Sequence, residues 1–230
     1  MGYNRNSNIK ILSNKELLKQ LHIVARKFSA YVNKNLLFFS SAGRDKNLVI
    51  YEIQIKAENF MHLTGCRTKT VQSRNLTARD FFYECLNKTI RKEDFDIAQN
   101  RHICTAKLHA LSQALQYNFA KLYEIGNKDV TTEKNIFDFG IGNTNAIIAY
   151  SYKNGKKYAI PTSAMSRNLR DYIMYPMKVV CILIKEIDEE HYREIHSAIM
   201  KDPVSLFREN EFLPEEVLRI VDIEVILNDK

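Results

Sequence analysis

Leu17, Leu21, Val24, Phe28 and Tyr31 recur with the spacing of one helix face, so a long amphipathic helix is predicted from Asn14, its N-cap, to about Leu36. A turn-rich break follows over 40–47 around Gly43. The period then changes to two. Val49, Tyr51, Ile53 and Ile55 alternate with Glu52, Gln54 and Lys56, the pattern of a half-buried strand leading directly into Phe60-Met61-His62-Leu63-Thr64-Gly65. Residues 67–75 are basic and polar and read as a mobile loop. Thr77-Ala78-Arg79-Asp80 has the form of a capping box opening a short helix. That helix carries Phe81, Phe82 and Tyr83, whose adjacency favours core packing over stacking on bases. Further helices are expected over 92–99 and 107–122, the second with a stripe of Leu108, Leu111, Leu115, Phe119 and Leu122.

The clearest local signal in the second half is a hairpin. Residues 146–152 are strand-like, Asn154-Gly155 supplies two positive-φ positions for a tight turn, and 157–160 return, with Pro161 ending the strand. Gly140-Ile141-Gly142 reads as a turn between strands, 166–172 as a short polar helix and 179–184 as a fully buried strand. Helix-like residues 189–200, a break at Pro203, a helix started by Pro214 and a final strand near 223–227 complete the chain. This order lacks the regular strand–helix alternation of a doubly wound parallel sheet. It predicts an α+β fold in which an N-terminal long helix packs on a twisted, mainly antiparallel sheet, with an α/β C-terminal extension. The division expected is a core over 1–176 and an acidic extension over 177–230 packed on it.

Composition excludes disorder as the main state: 45% of the 230 residues are hydrophobic. No apolar run is long enough to span a bilayer and no N-terminal signal pattern is read, so a cytoplasmic, membrane-free protein is expected. Charge is unevenly spread. Residues 1–110 carry +10 and 111–180 carry +4, whereas 181–230 carry −7. A basic body suits a polyanion such as nucleic acid, while the acidic tail either engages a basic partner or shields the body. A solvated basic surface has the same composition. Cys66, Cys85, Cys104 and Cys181 form no C-x-x-C pair, and the spacings of His62 with Cys66 and His102 with Cys104 match no zinc signature. Reduced thiols and no metal are expected.

No phosphate-binding glycine loop, nucleophile elbow or H-E-x-x-H motif is present. Chemistry therefore centres on His62-Leu63-Thr64-Gly65, flanked by Lys56, Arg67, Lys69 and Arg74 as candidate nucleic-acid contacts. If the strand persists, His62 and Thr64 point the same way, pairing an imidazole with a hydroxyl suited to proton transfer at a phosphate. A structural histidine beside a turn-capping threonine has the same pattern.

Phe60-Met61-His62-Leu63-Thr64-Gly65 resembles the signature of a phage- and mobile-element-associated nuclease-like family, the fourth phage-type group of the barnase/EndoU/colicin/RelE superfamily. Asp80-Phe81-Phe82-Tyr83-Glu84-Cys85-Leu86, Thr105-Ala106-Lys107-Leu108, Tyr158-Ala159-Ile160-Pro161-Thr162 and Asn168-Leu169-Arg170-Asp171 resemble later segments in the same order, so the similarity spans roughly 15–175. The resemblance implies N-terminal helices on a twisted antiparallel sheet and cleavage of RNA without metal or cofactor. It implies His62 as acid or base, Lys107 offsetting charge on the phosphorane, Thr64 or Thr162 bonding a phosphate oxygen, and Arg170 clamping a neighbouring phosphate. Each has a plainer alternative: a solvated Lys107, a turn-capping Thr162, and an Arg170 paired with the acidic tail. The expected function is a metal-independent endoribonuclease, toxin or effector. The alternatives are an inactive nucleic-acid or nucleoprotein binder, such as an inhibitor of a host defence complex, and a scaffold acting through the acidic tail. Partners follow accordingly: RNA or another nucleic acid, and a protein inhibitor or host nucleoprotein complex.

Overall fold

The computed structural model describes residues 10–41, 48–71, 74–117, 123–128, 137–153, 155–199, 202–208 and 213–228. Helix α1 (Asn14–Ser29) is capped by Ser13 rather than Asn14. The Ser13 hydroxyl accepts the Glu16 N–H, and the Glu16 carboxylate accepts the Ser13 N–H in return. The helix stops well before Leu36. Asn33 turns the chain with φ 62°, and β1 (Lys34–Ser41) begins at the next residue. Leu36 and Phe38 face one core, Leu37 and Phe39 another, and all four are at most 1% exposed. A strand covered on both faces has no polar alternation to announce it.

β2 (Leu48–Ile55) pairs antiparallel with β1, and the chain then enters α2 (Asn59–Thr64). β3 (Cys66–Thr68), β4 (Thr70–Val71) and β5 (Arg74–Asn75) follow, so the stretch expected as a mobile loop is strand over much of its length. α3 (Ala78–Asn87) starts with the expected Thr77–Asp80 capping box. The helix predicted over 92–99 is one 3-10 turn at Lys92–Asp94 followed by β6 (Phe95–Ile97), which pairs with β3. α4 (Arg101–Ala114) starts earlier than predicted because Asn100 Oδ1 accepts the Ile103 N–H, and it ends at Ala114. Phe119 and Leu122 of the expected stripe lie outside the described residues.

The main sheet adds β7 (Glu124–Asn127), β8 (Phe139–Gly142), β9 (Ile147–Tyr152), β10 (Ala159–Met165), β11 (Met177–Glu186) and β12 (Glu194–Ala198). Its order is β1-β2-β10-β9-β8-β7-β11-β12, and β11 also pairs with β1, closing a seven-strand barrel. The pairings are antiparallel except β2–β10, whose single parallel contact is Ala159 with Ile53. The boundary expected at 176/177 falls directly before β11, which lies between β1 and β7 in this ring. Gly140-Ile141-Gly142 is strand rather than turn. A Cβ at Gly142 would meet the Ala146 carbonyl oxygen at 2.1 Å, so the close approach of β8 to the 143–146 connection requires glycine. Pro161 does not end its strand. A register shift between Pro161 and Ser163 absorbs the missing N–H, and β10 runs on to Met165. Gly155 takes the expected positive φ, 74°, while Asn154 lies outside the described residues.

One core joins the inner sheet residues Phe38, Ile53, Phe139 and Tyr150 to α1, α2, α3 and α4. Phe81 and Phe82 lie in it, almost fully buried. A second core packs Leu37, Phe39, Cys181 and Leu183 under α5 (Ser205–Arg208), α6 (Glu215–Leu218) and α7 (Ile223–Asn228). Two C-terminal expectations are reversed here. Residues 194–198 form strand β12, an addition beside β11, whereas 223–228 are helical, burying Ile226 against Phe207 and Val217 on this outer face. The 166–172 segment contributes only a 3-10 turn at Leu169–Asp171, with Asn168 Oδ1 accepting the Arg170 N–H. No described helix is long and apolar enough to cross a membrane.

Candidate active site

His62 lies on α2, not on a strand. The Asn59 side chain accepts the Lys56 N–H at the start of this helix, and Gly65, with φ 75°, ends it. The helical period puts Phe60, Leu63 and Thr64 inward and leaves His62 exposed. Phe60 is fully buried among Phe28, Phe81 and Phe82, with ring centroids 5.3–6.0 Å away. The imidazole is therefore carried by a single helical turn bolted to an aromatic cluster. The same turn separates His62 from Thr64, which a strand would have aligned. The buried Thr64 hydroxyl donates to the Met61 carbonyl (2.7 Å) and accepts the Cys66 N–H (3.4 Å), so its work is to close the α2 terminus.

Lys107 is brought to this terminus from α4. Its Nζ donates to the His62 carbonyl oxygen at 3.4 Å, and its stem passes Gly65 so closely that a Cβ there would sit 3.1 Å from Lys107 Cδ. Gly65 thus serves both the left-handed turn and the approach of the lysine. The Gly65 carbonyl accepts the Ala98 N–H (2.8 Å), fixing the end of β6 to the same corner. Burial pushes the Lys107 ammonium below its ordinary value. Beneath it, Cys66 Sγ and Cys104 Sγ are 3.9 Å apart, and all four cysteines are buried free thiols. The hydrogen bond between them lowers Cys104 and raises Cys66, with Arg101 and Lys107 adding to the lowering at Cys104. Among the described residues no group of three or more His, Cys, Asp or Glu is placed to hold a metal ion.

The remaining predicted residues are dispersed. Thr162 is on β10, which packs against α2, but its hydroxyl donates to the Ala149 carbonyl (3.2 Å). Arg170 is not paired with the acidic tail: its Nε and Nη2 donate to the two oxygens of Glu124 on β7 at 2.8 and 2.5 Å. That fork holds the Glu124 carboxyl below its ordinary value. Lys69 is paired with Asp96 (3.0 Å), while Arg67 on β3 is exposed. Lys56 borders a mixed-charge cleft with Glu58, Arg79, Glu186 and Asp188. Arg74 lies in β5, and its side chain is outside the described set.

Sequence reasoning missed His109 on α4. Gln113 Nε2 lies 3.2 Å from His109 Nε2, and His109 Nδ1 lies 3.4 Å from the hydroxyl oxygen of the buried Ser166. The i, i+4 spacing of His109 and Gln113 was visible. Ser166, which follows β10, was not.

An α+β protein with an exposed histidine and a partly desolvated lysine on one corner is thus defined by fold and site together. A family model described as phage-Barnase-EndoU-ColicinE5/D-RelE like nuclease4 matches residues 20–199, and the chain belongs to this phage-associated nuclease family. No curated protein and no solved structure was found to match it.

Proposed function

We propose that the protein is a metal-independent endoribonuclease whose reaction is centred on His62. The observation that carries this reading is the approach of Lys107 Nζ to the His62 carbonyl at the Gly65 turn, which joins two segments 45 residues apart. Family membership makes a nucleic acid the substrate, and the +14 carried by residues 1–180 suits its backbone.

In the proposed reaction His62 takes the proton from a ribose 2′-hydroxyl as that oxygen attacks the adjacent phosphorus. The bond from phosphorus to the 5′-oxygen breaks, and that oxygen takes a proton from water as it leaves, while His62 returns the 2′-proton to solvent, giving a cyclic phosphate and a 5′-hydroxyl. Lys107 offsets the charge that grows on the phosphorane oxygens. Thr64 positions the α2 turn rather than touching substrate. In this reading such a nuclease acts as a toxin or effector, restrained by a protein inhibitor.

Incubating the protein with mixed cellular RNA in chelator tests the proposal. Cyclic-phosphate termini are expected from the wild type, with His62→Ala slower by roughly 100-fold or more, in the range of lost acid–base catalysis. Cleavage lost in His109→Ala but retained in His62→Ala would move the chemistry to the Ser166 side of α4. Tight, salt-sensitive RNA binding with no cleavage would replace the enzyme by a binder, such as an inhibitor of a host nucleoprotein complex.

A further inference from the structure

The connection between β10 and β11 carries the most exposed of the large hydrophobic side chains described. Tyr175 is 84% exposed, and Met174 before it is 39% exposed. The Tyr175 backbone has φ 47°, a left-handed conformation that bulky residues rarely adopt. The conformation is imposed from both sides. Ile173 bridges Lys128, the Met174 N–H donates to the Asn127 carbonyl (2.9 Å), and Met177 pairs with Ile125 of β7. A stiff frame therefore holds an aromatic ring out in water, an arrangement that costs folding energy and gains no packing.

The surroundings point to what the ring meets. Residues 166–178 carry Arg167, Arg170 and Lys178 against Asp171 alone. Arg170 and Lys178 line a cleft of about 400 Å³ with apolar walls at Val179 and the exposed Ile199. Glu124 and Arg170, both at this cleft, neutralise one another, so Lys178 supplies its positive charge. Tyr175 precedes Lys178 of this cleft by three residues, so one short segment offers an open aromatic face and a cation, complementary to a nucleotide whose base presents a π-face and whose phosphate is anionic.

We propose that the segment from Tyr175 to Lys178 binds an unpaired nucleotide of a single-stranded nucleic acid, the base stacking on the tyrosine ring and the phosphate facing Lys178. Bases within a duplex already stack on their neighbours, so this surface selects single strands. The proposal rests on the nucleic-acid reading above but not on any catalytic step.

The test uses the full chain carrying His62→Ala, in chelator, titrated with a fluorescein-labelled oligouridylate and with a labelled blunt-ended RNA duplex of matched length. Adding Tyr175→Ala is expected to weaken single-strand binding roughly tenfold, as the loss of one stacked base does, and to leave duplex binding unchanged. Tyr175→Trp should retain affinity. Tyr175→Gly should lose it although it relieves the backbone, which separates stacking from folding. Lys178→Gln should reduce the salt dependence of binding. Oligouridylate bound equally with and without the Tyr175 ring would overturn this proposal alone. Failure of the Tyr175-intact protein to bind either RNA would overturn the nucleic-acid reading with it.

Discussion

The corner where α2 meets α4 and the cleft between β7, β11 and the 166–176 connection were both candidates for phosphate chemistry, yet they are built by opposite means. The α2 corner rests on apolar packing: Phe60 is enclosed by three other phenylalanine rings, and beneath the surface the Thr64 hydroxyl is satisfied by backbone and the Cys66 and Cys104 thiols by one another. The cleft is held by a forked ion pair between Arg170 and Glu124 and by backbone hydrogen bonds from the neighbouring strand. Packing positions a side chain with little dependence on salt or pH, whereas an exposed ion pair is sensitive to both. A reacting group belongs on the first kind of support, and adaptable substrate contact on the second.

Breaking the packed side should have the largest effect. Phe60→Ala is expected to cost about 3–5 kcal/mol, because it leaves a cavity within an aromatic cluster. Denaturant unfolding reads this directly, and a loss under ~1 kcal/mol would mean that α2 is not anchored as described. Thr64→Val should cost about 1–2 kcal/mol by removing a buried donor and leaving the Met61 carbonyl without it. On the proposed mechanism its RNA cleavage, measured well below its Tm, stays near that of the wild type. A large fall in turnover with unchanged stability would instead make Thr64 a reacting group.

The smallest effect is expected on the cleft side. The folded-state value of Glu124 is lowered by Arg170, so its contribution is complete above the ordinary carboxyl value of 4.5 and is lost as pH falls through the lowered value. Glu124→Gln should therefore change Tm slightly at neutral pH and not at strongly acidic pH, with added salt shrinking the difference. A Glu124→Gln penalty as large in acid as at neutrality would show that the pair acts through packing and not through charge.

Legibility in the sequence followed whether a signal was local. The Thr77–Asp80 capping box needs only four residues and formed as read. The strand over 48–55 was legible from its alternation, although Gln54 on its polar side is buried, donating to Asn35, and Val49 on its apolar side is exposed; the strand over 179–184 is apolar throughout because both its faces are covered. The same double covering concealed β1, whose Leu36–Phe39 run continued the preceding helix stripe without a polar break. Residues 60–65 carried the family signature but not its conformation, since six residues with apolar side chains at 60, 61 and 63 fit a strand end or a helical turn. His62 and Lys107 were nominated separately. Their juxtaposition, and the pairing of Arg170 with Glu124 instead of an acidic residue of the tail, required the chain to be folded.

By itself the sequence determined the class of protein, through an ordered set of family motifs, a basic body with an acidic tail, and the α+β succession of periods. These are properties of composition and near-neighbour spacing, which survive without knowledge of what each segment touches. Tertiary structure alone decided that the sheet closes between β1 and β11, that Thr64 is consumed in holding its own turn, and that Tyr175 is held outward in a strained backbone. The first and last of those outcomes depend on groups distant along the chain, and the folded arrangement decides which pairing wins; the Thr64 bonds are local, but burial of Phe60 and Leu63 against distant helices selects the helical turn that makes them.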